Sequence, residues 1–224
     1  MDELILGLDE AGKGPVIGPM ILAGCLIDRK IEKEFRLLGV KDSKMVTPNR
    51  REILDKEIKS KAINFKTVAI FPDDIDDKSE KGIKMTELEA EIFSSIINEL
   101  NDDKTKIKVV IDCPSFGISK WTDMLKTKIK NLSNLEFVIE HKADKNHIAV
   151  AAASLLAKAE REREVSKLKE IYGDEIGSGY CSDPLTIKFL EKFALKHKNK
   201  GIFRKSWITW KNAATKLKQV ELNF

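Results

Sequence analysis

The sequence has few of the residues on which several protein classes depend. Its 224 residues include three cysteines, which are too few for a disulfide framework and lack the CxxC spacing of a structural zinc site. No apolar run approaches the ~18–20 residues that a membrane helix needs. Residues 1–4 are acidic where a signal peptide is basic. We therefore expect a cytoplasmic protein with reduced thiols that does not associate with membranes.

The sequence also lacks the best-known local motifs of nucleotide-binding proteins and hydrolases. It contains no Walker A loop, no dinucleotide-binding glycine pattern and no serine nucleophile elbow. Its apolar content of 42% is nevertheless typical of a folded globular chain. Any catalytic site must therefore be built from other residue types.

Positive charge is concentrated at the C-terminal end of the chain. Residues 184–224 contain ten Lys and Arg against two acids, a net charge of +8, whereas the rest of the chain has a net charge of −4. Lysine and arginine displace counterions from phosphates, so this segment is interpreted as a polyanion-binding surface. Composition alone fits a solvated, lysine-rich helical lobe equally well.

The order of apolar patterns predicts an α/β fold with a mixed sheet and a helical C-terminal lobe. Short apolar or alternating runs predict five strands, over residues 4–8, 21–27, 65–71, 107–111 and 135–139. Helical spacing predicts helices over residues 48–61, 86–100, 119–130, 184–197 and 205–217, and a buried, alanine-rich helix from residue 148.

Four carboxylates stand where predicted strands end or where the alanine-rich helix begins: Asp9, Glu10, Asp112 and Asp144. Carboxylates without His or Cys partners select hard cations such as Mg²⁺ or Mn²⁺. Two such ions ~3.5–4 Å apart can activate water and stabilise the leaving oxygen in phosphodiester hydrolysis. Together, the four acids favour a metal-dependent nuclease.

Each acid alone also fits a structural role. Asp112 can start a turn, and Asp144 can be a helix N-cap. Adjacent residues of a regular strand point to opposite faces, so Asp9 and Glu10 can share a site only if the strand ends or bulges there. The glycines that follow at positions 12 and 14 make such an ending plausible.

Three further segments offer contacts to a nucleic acid. Gly12-Lys13-Gly14 brings flexible backbone next to the first acid pair, Lys44 belongs to a basic loop, and Tyr180 follows a glycine. A tight turn, a solvated loop and a tyrosine that pins a loop are the structural alternatives at these places.

The chain resembles ribonuclease HII, the type 2 ribonuclease H family, in its archaeal form. The resemblance spans about residues 4–184 and rests on several motifs in the family's order. They are Asp9-Glu10-Ala11-Gly12-Lys13-Gly14, Lys41-Asp42-Ser43-Lys44, Val110-Ile111-Asp112, His141-Lys142-Ala143-Asp144, Ala151-Ala152-Ala153-Ser154, Gly177-Ser178-Gly179-Tyr180 and Ser182-Asp183-Pro184.

The resemblance implies a ribonuclease H-like five-stranded mixed sheet flanked by helices, with a helical C-terminal lobe. Residues 1–165 would form the catalytic core, and residues 166–224 a basic, nucleic-acid-binding lobe. The implied reaction is endonucleolytic hydrolysis of the RNA strand of RNA–DNA hybrids, and cleavage on the 5′ side of ribonucleotides embedded in duplex DNA. It leaves 3′-hydroxyl and 5′-phosphate ends.

Residue roles follow from the resemblance. It implies that the four acids bind the catalytic Mg²⁺ or Mn²⁺ ions, and that the 12–14 turn contacts the ribose 2′-hydroxyl. It also implies that Tyr180 packs on the neighbouring sugar and that Lys44 contacts the nucleic acid. Lys13 stands where bacterial relatives usually have arginine, so a point charge replaces a bidentate donor.

Two other classes remain open on the sequence. One is a ribonuclease H-like DNA nuclease of the resolvase or integrase type, which would not require a 2′-hydroxyl. The other is a non-catalytic nucleic-acid-binding module that uses the basic C-terminal segment. In such a module, the four acids would repel phosphate groups and would have no function that explains their presence.

The end of the chain, residues 219–224, resembles the start of a sliding-clamp-binding peptide. Gln219 is followed by Leu222 and Phe224, an aliphatic and an aromatic anchor of the kind that such peptides insert into an apolar pocket. Only one aromatic residue is present, which departs from the usual pattern. The alternative is a frayed terminus that packs back on the helical lobe. We expect the enzyme to be a monomer.

Overall fold

A five-stranded mixed sheet forms the centre of the fold, as predicted. The computed structural model describes residues 3–41 and 46–222, so Lys44 and residues 223–224 of the predicted clamp peptide lie outside the described residues. The strand order is β3-β2-β1-β4-β5, with β1 antiparallel to β2 and parallel to β4, and β4 parallel to β5. The strands are β1 (Leu4–Ala11), β2 (Met20–Ile27), β3 (Asn64–Ile70), β4 (Ile107–Asp112) and β5 (Leu135–Glu140).

Helices occupy most of the remaining chain. None of those described is long and apolar enough to cross a membrane. A short 3₁₀ turn covers Asp174–Ile176. The α-helices are α1 (Arg29–Leu38), α2 (Pro48–Lys61), α3 (Pro72–Glu80), α4 (Met85–Leu100), α5 (Ile118–Lys126), α6 (Ala143–Asn146), α7 (Ile148–Tyr172), α8 (Pro184–Phe193) and α9 (Ile208–Leu222).

The pattern analysis missed α1. The Asp28 side chain accepts a hydrogen bond from the Ile31 N–H at its start, and Gly39 ends it in the left-handed conformation with φ 83°. Both capping signals are present in the sequence. Its apolar residues Ile31, Phe35 and Leu38 also stand at helical spacing, so the sequence carried a periodicity signal for α1 as well as its caps, although only Phe35 is buried.

The buried, alanine-rich helix is confirmed as the first half of α7. Residues 149–157 are at most 2% exposed. The helix backbone approaches β1 so closely that a Cβ on Gly7 would stand 2.1 Å from the carbonyl carbon of Ala149. A glycine in β1 and small residues in α7 are what permit this contact.

The chain divides into two compact units that are discontinuous in sequence. The first contains residues 1–11, 21–68 and 86–160, and the second contains residues 12–20, 69–85 and 161–224. The second unit has its own apolar core, in which Ile17 packs with Phe189 and Phe203. The helical C-terminal part therefore folds together with two earlier segments. The functional division into residues 1–165 and 166–224 stays a prediction.

Candidate metal centre and recognition loops

Three of the four predicted acids come together at the carboxyl ends of the parallel strands. Asp9, Asp112 and Asp144 each place a carboxylate oxygen within 4.8 Å of the other two. In the parallel register Leu8 pairs with Ile111, so Asp9 and Asp112 stand one position beyond this pair on neighbouring strands. Ligand sites of α/β sheets commonly form at this edge.

The turn after β5 brings Asp144 to the other two acids. Lys142 adopts a left-handed conformation with φ 61°, and its backbone N–H donates to Oδ1 of Asp112 at 2.8 Å. Asp144 follows in the short helix α6, which His147 separates from α7. The alternative in which Asp144 serves only as the N-cap of the alanine-rich helix is therefore wrong.

Glu10 is placed differently from the other three acids. The prediction that the first strand ends before Asp9 is wrong, because pairing with β2 continues regularly from Asp9 with Ala23 to Ala11 with Ile21. Regular alternation turns neighbouring side chains to opposite faces. Glu10 accordingly lies outside the group of three carboxylates within 4.8 Å. Its backbone N–H donates to Oδ1 of Asp9 at 2.8 Å.

Burial and mutual repulsion disfavour negative charge at this centre. The pKa of Asp9 is raised well above its usual range, first by burial and then by the charges of Glu10 and Asp112. A hydrogen bond with Ser154 of α7 partly offsets this rise. Burial also raises the pKa of Asp112, and the charge of Asp144 adds to it. Ser154 was not singled out as a site residue, although it is the one hydroxyl in the alanine-rich run.

A divalent cation fits this arrangement. The donors are carboxylate oxygens only, which suits Mg²⁺ and similar hard ions. None of the ion pairs formed within residues 3–41 and 46–222 involves Asp9, Asp112 or Asp144, and the charge of His141 offsets the raised pKa of Asp112 only in part. A bound cation would supply positive charge that favours the ionised carboxylates and lowers their pKa values.

The predicted Gly12-Lys13-Gly14 turn opens the second unit. Gly12 has φ +80°, and a Cβ there would lie 2.5 Å from the Arg161 side chain and 2.9 Å from the carbonyl oxygen of Pro19. Gly14 is exposed and a Cβ on it would meet no atom within 4 Å, so packing does not require glycine at this position. The fold therefore requires glycine at position 12, both for its backbone conformation and for its close contacts, but packing does not require it at position 14.

The loop that carries Tyr180 contacts the loop that follows Gly14. The carbonyl oxygen of Gly179 accepts hydrogen bonds from the N–H groups of Val16 at 2.8 Å and Ile17 at 3.2 Å. Tyr180 itself is 42% exposed, and the Arg161 guanidinium carbon lies 4.8 Å from its ring centroid. The structure thus brings together two of the three predicted nucleic-acid contacts in one unit. The third, Lys44, lies outside the described residues.

Arg204 belongs to this region and was missed by the sequence analysis. It is fully buried, and its guanidinium donates to the carbonyl oxygens of Gly12, Lys13 and Gly18. No local pattern marks it, since its partners lie more than 180 positions earlier in the chain.

A mixed sheet with an acidic cluster at the ends of its parallel strands is the arrangement expected of a divalent-cation-dependent nuclease. The family model described as Ribonuclease HII matches residues 6–210. A ribonuclease HII of Methanococcus maripaludis strain C6 is 41% identical over 222 residues, covering 98% of this chain and 89% of the relative. The chain belongs to the ribonuclease HII family, and it is a ribonuclease H-type endonuclease.

Solved structures agree with this assignment. The ribonuclease H2 of Pyrococcus horikoshii OT3 is similar with a TM-score of 0.84 and 36% identity, over 96% of this chain and 99% of that one. A ribonuclease HII of Archaeoglobus fulgidus, solved in complex with PCNA, is similar with a TM-score of 0.81 and 36% identity, over 93% and 96% of the two chains. These similarities support assignment as a ribonuclease over assignment as a resolvase-type nuclease or a non-catalytic binding module.

Proposed function

We propose that this enzyme uses Mg²⁺ or Mn²⁺ to cleave the RNA strand of RNA–DNA hybrids and the 5′ side of single ribonucleotides embedded in duplex DNA. The observation that carries the proposal is the cluster formed by Asp9, Asp112 and Asp144. We further propose that it works as a cytoplasmic monomer in DNA replication and repair. The products would carry 3′-hydroxyl and 5′-phosphate ends.

The three clustered acids are proposed to hold the catalytic cations. When bound, the cations would supply Lewis-acid charge at the phosphodiester and promote ionisation of the attacking water. Asp9 is buried, and a hydrogen bond with Ser154 would hold its carboxylate in position. Lys142 fixes Asp112 through its backbone N–H. These contacts set the carboxylates in place before a cation arrives.

Glu10 is proposed to act from outside the cluster. Its charge is close enough to raise the pKa of Asp9, so it adds to the negative potential that attracts cations. A role as a ligand to a second cation is part of the proposal carried over from the family resemblance. Because β1 is regular at Glu10, its side chain points to the opposite face of the strand from that of Asp9 and would reach a cation from a different side.

The second unit is proposed to recognise the ribonucleotide. The backbone of Gly12, Lys13 and Gly14 would contact the 2′-hydroxyl, and Tyr180 would pack on the adjoining sugar. Lys44 would contact the nucleic acid, and the net charge of +8 in residues 184–224 would add affinity for the duplex. The exposed ring of Tyr180 on a well-anchored loop supports this assignment.

One pair of substrates tests the proposal. A DNA duplex with a single ribonucleotide is compared with its all-DNA twin, in Mg²⁺ and in Mn²⁺, and the product ends are mapped. Cutting only on the 5′ side of the ribonucleotide supports the proposal. Cutting of both duplexes would indicate a DNA nuclease, and binding without cutting would indicate a recognition module.

Tyr180→Ala should lower kcat/KM at a single embedded ribonucleotide by about tenfold, because ring contacts with nucleic acids are worth ~1–3 kcal/mol. Tyr180→Phe is the matched control, since it keeps the ring, and it should retain most of the activity. Steady-state kinetics on the single-ribonucleotide duplex provide the measurement. Equal loss in both variants would assign the effect to the hydroxyl and contradict packing by the ring.

We also propose that residues 219–224 dock on a sliding clamp. The similar chain from Archaeoglobus fulgidus was solved as a complex with PCNA, and the sequence pattern offers Leu222 and Phe224 as anchors. Titration calorimetry with an archaeal clamp ring should show binding by the wild type. A Leu222→Ala/Phe224→Ala double variant should bind at least about tenfold more weakly. The docking proposal fails if both proteins bind with the same affinity or neither binds.

A further inference from the structure

Arg204 is a fully buried cation whose hydrogen-bonding partners are backbone carbonyl groups. One terminal nitrogen donates to the carbonyl oxygen of Lys13 at 2.8 Å, and the other donates to those of Gly12 at 2.7 Å and Gly18 at 3.0 Å. Nε also donates to the Gly18 carbonyl at 3.1 Å. The single side chain therefore joins both ends of the loop formed by residues 12–18.

The charge of this arginine is offset only in part, by the nearby carboxylate of Asp76, and burial outweighs that contribution. Within residues 3–41 and 46–222 Arg204 forms no ion pair. Burial, together with the nearby charge of Arg161, lowers its pKa to about 9. Burying a guanidinium costs desolvation free energy, so its position beneath this loop must serve a structural or functional purpose that offsets this cost.

The hydrogen bonds to Arg204 also fix the direction of the N–H groups in the same peptides. The described peptide bonds are all trans, and in a trans peptide the C=O and the following N–H point in opposite directions. The carbonyls of Gly12 and Lys13 are turned toward Arg204, so the N–H groups of Lys13 and Gly14 are directed away from it. Successive N–H groups turned to one side, backed by a positive charge, attract electron-rich oxygens.

Arg204 is itself held in place independently of any ligand. Its backbone N–H donates to the carbonyl of Val16 at 2.9 Å. The buried Asp76 of α3 accepts hydrogen bonds from the backbone N–H groups of Lys205 at 2.7 Å and Ser206 at 2.9 Å. Trp207 lies over the guanidinium at 5.1 Å and donates to the Gly14 carbonyl at 3.2 Å. The loop is therefore fixed at several of its carbonyls.

We propose that Arg204 is a positioning residue for substrate recognition, which turns the N–H groups of Lys13 and Gly14 outward to receive oxygens of the ribonucleotide. This inference rests on the proposed function, in which the loop meets the 2′-hydroxyl. Arg204 acts through the loop and does not touch the substrate. Asp76 supports it by fixing the segment that follows.

Substrate affinity separates positioning from a general effect on folding. A variant that is only partly folded has less active enzyme, which lowers the apparent kcat and leaves KM unchanged. Loss of loop positioning raises KM for the ribonucleotide-containing duplex. Arg204→Gln should raise this KM by at least about tenfold, and Arg204→Lys by less, because lysine keeps the charge but loses the planar fork. Manganese binding, measured by calorimetry, should stay at the wild-type level in both variants.

Two further variants complete the experiment. Arg29→Met removes an exposed arginine from α1, whose charge pairs with Glu3 and Glu32, and it should keep the wild-type KM. Asp76→Asn should also raise KM. It tests the same positioning of the loop if Arg204→Gln does not fold. Unchanged KM in the Arg204 and Asp76 variants would overturn the inference. Failure of the wild type to cut the ribonucleotide-containing duplex would instead overturn the proposed function.

Discussion

Replacing Asp9 with asparagine should abolish cleavage and also stabilise the cation-free protein. The substitution removes one of the three proposed cation ligands, and loss of several kcal/mol of charge stabilisation corresponds to a fall in turnover of at least ~10³-fold. The amide keeps the size of the side chain and can still form a hydrogen bond with Ser154. Cleavage of the single-ribonucleotide duplex in Mg²⁺ measures the first effect.

The stability effect follows from the raised pKa of Asp9. A carboxyl whose pKa is higher in the folded state than in the unfolded state binds more protons when folded, so stability falls as pH rises between the two values. In chelator, the melting temperature of the wild type should therefore fall as pH rises through that window. Asp9→Asn should weaken this dependence and melt higher at neutral pH. Added divalent cations should stabilise the wild type more than the variant.

A surface acid of the same unit provides the control. Asp123 is exposed on α5, so Asp123→Asn should change neither turnover nor the response of the melting temperature to cations. Turnover by Asp9→Asn that matches the wild type would remove Asp9 from the catalytic centre. A lower melting temperature for that variant in chelator would contradict the electrostatic account.

Gly7→Ala should be the most destabilising single methyl addition in β1. The new Cβ would lie 2.1 Å and 2.3 Å from the carbonyl carbon and oxygen of Ala149 and 2.3 Å from the backbone nitrogen of Val150. Backbone atoms cannot rotate aside as a side chain can, so α7 must shift. Overpacking typically costs ~1–3 kcal/mol, and we expect at least the upper value here. That corresponds to a fall in melting temperature of about 6–12 °C for a chain of this size.

Gly117→Ala is the matched control for this prediction. Gly117 has a negative φ of −89° and a Cβ on it would meet no atom within 4 Å. The melting temperature of Gly117→Ala should fall by no more than about 4 °C, because Gly117 is the N-cap residue of α5, where alanine costs roughly 1 kcal/mol relative to glycine. Similar melting of Gly7→Ala and the wild type would show that α7 does not approach β1 as closely as described.

The site could be predicted from the sequence where a carboxylate stands at the end of an apolar run that forms a strand. Asp9 and Asp112 follow apolar runs, and parallel neighbours in a sheet carry such residues to the same edge. Asp144 was predicted from its place before the alanine-rich helix, although a left-handed Lys142 and a short extra helix bring it there. The exact end of β1 could not be predicted, because pairing with β2 decides where the strand stops.

Arg204 shows where sequence reasoning ends. In a segment with nine lysines, one arginine looks like another surface cation. Its role depends on three carbonyl groups contributed by a distant part of the chain. Contacts of this kind leave no periodicity and no short-range motif, so they appear only once the chain is folded.

The discontinuous second unit has a consequence for the order of events during synthesis. Residues 12–20 leave the ribosome early, yet the unit that contains them is completed only by residues 161–224. At roughly 5–20 residues per second, about 7–40 s pass between the synthesis of this segment and that of residues 161–224. The sheet can be completed sooner, because its last strand ends at Glu140. A nascent chain can therefore bring its three clustered acids together before the unit that contains residues 12–20 is complete, because that unit also requires residues 161–224.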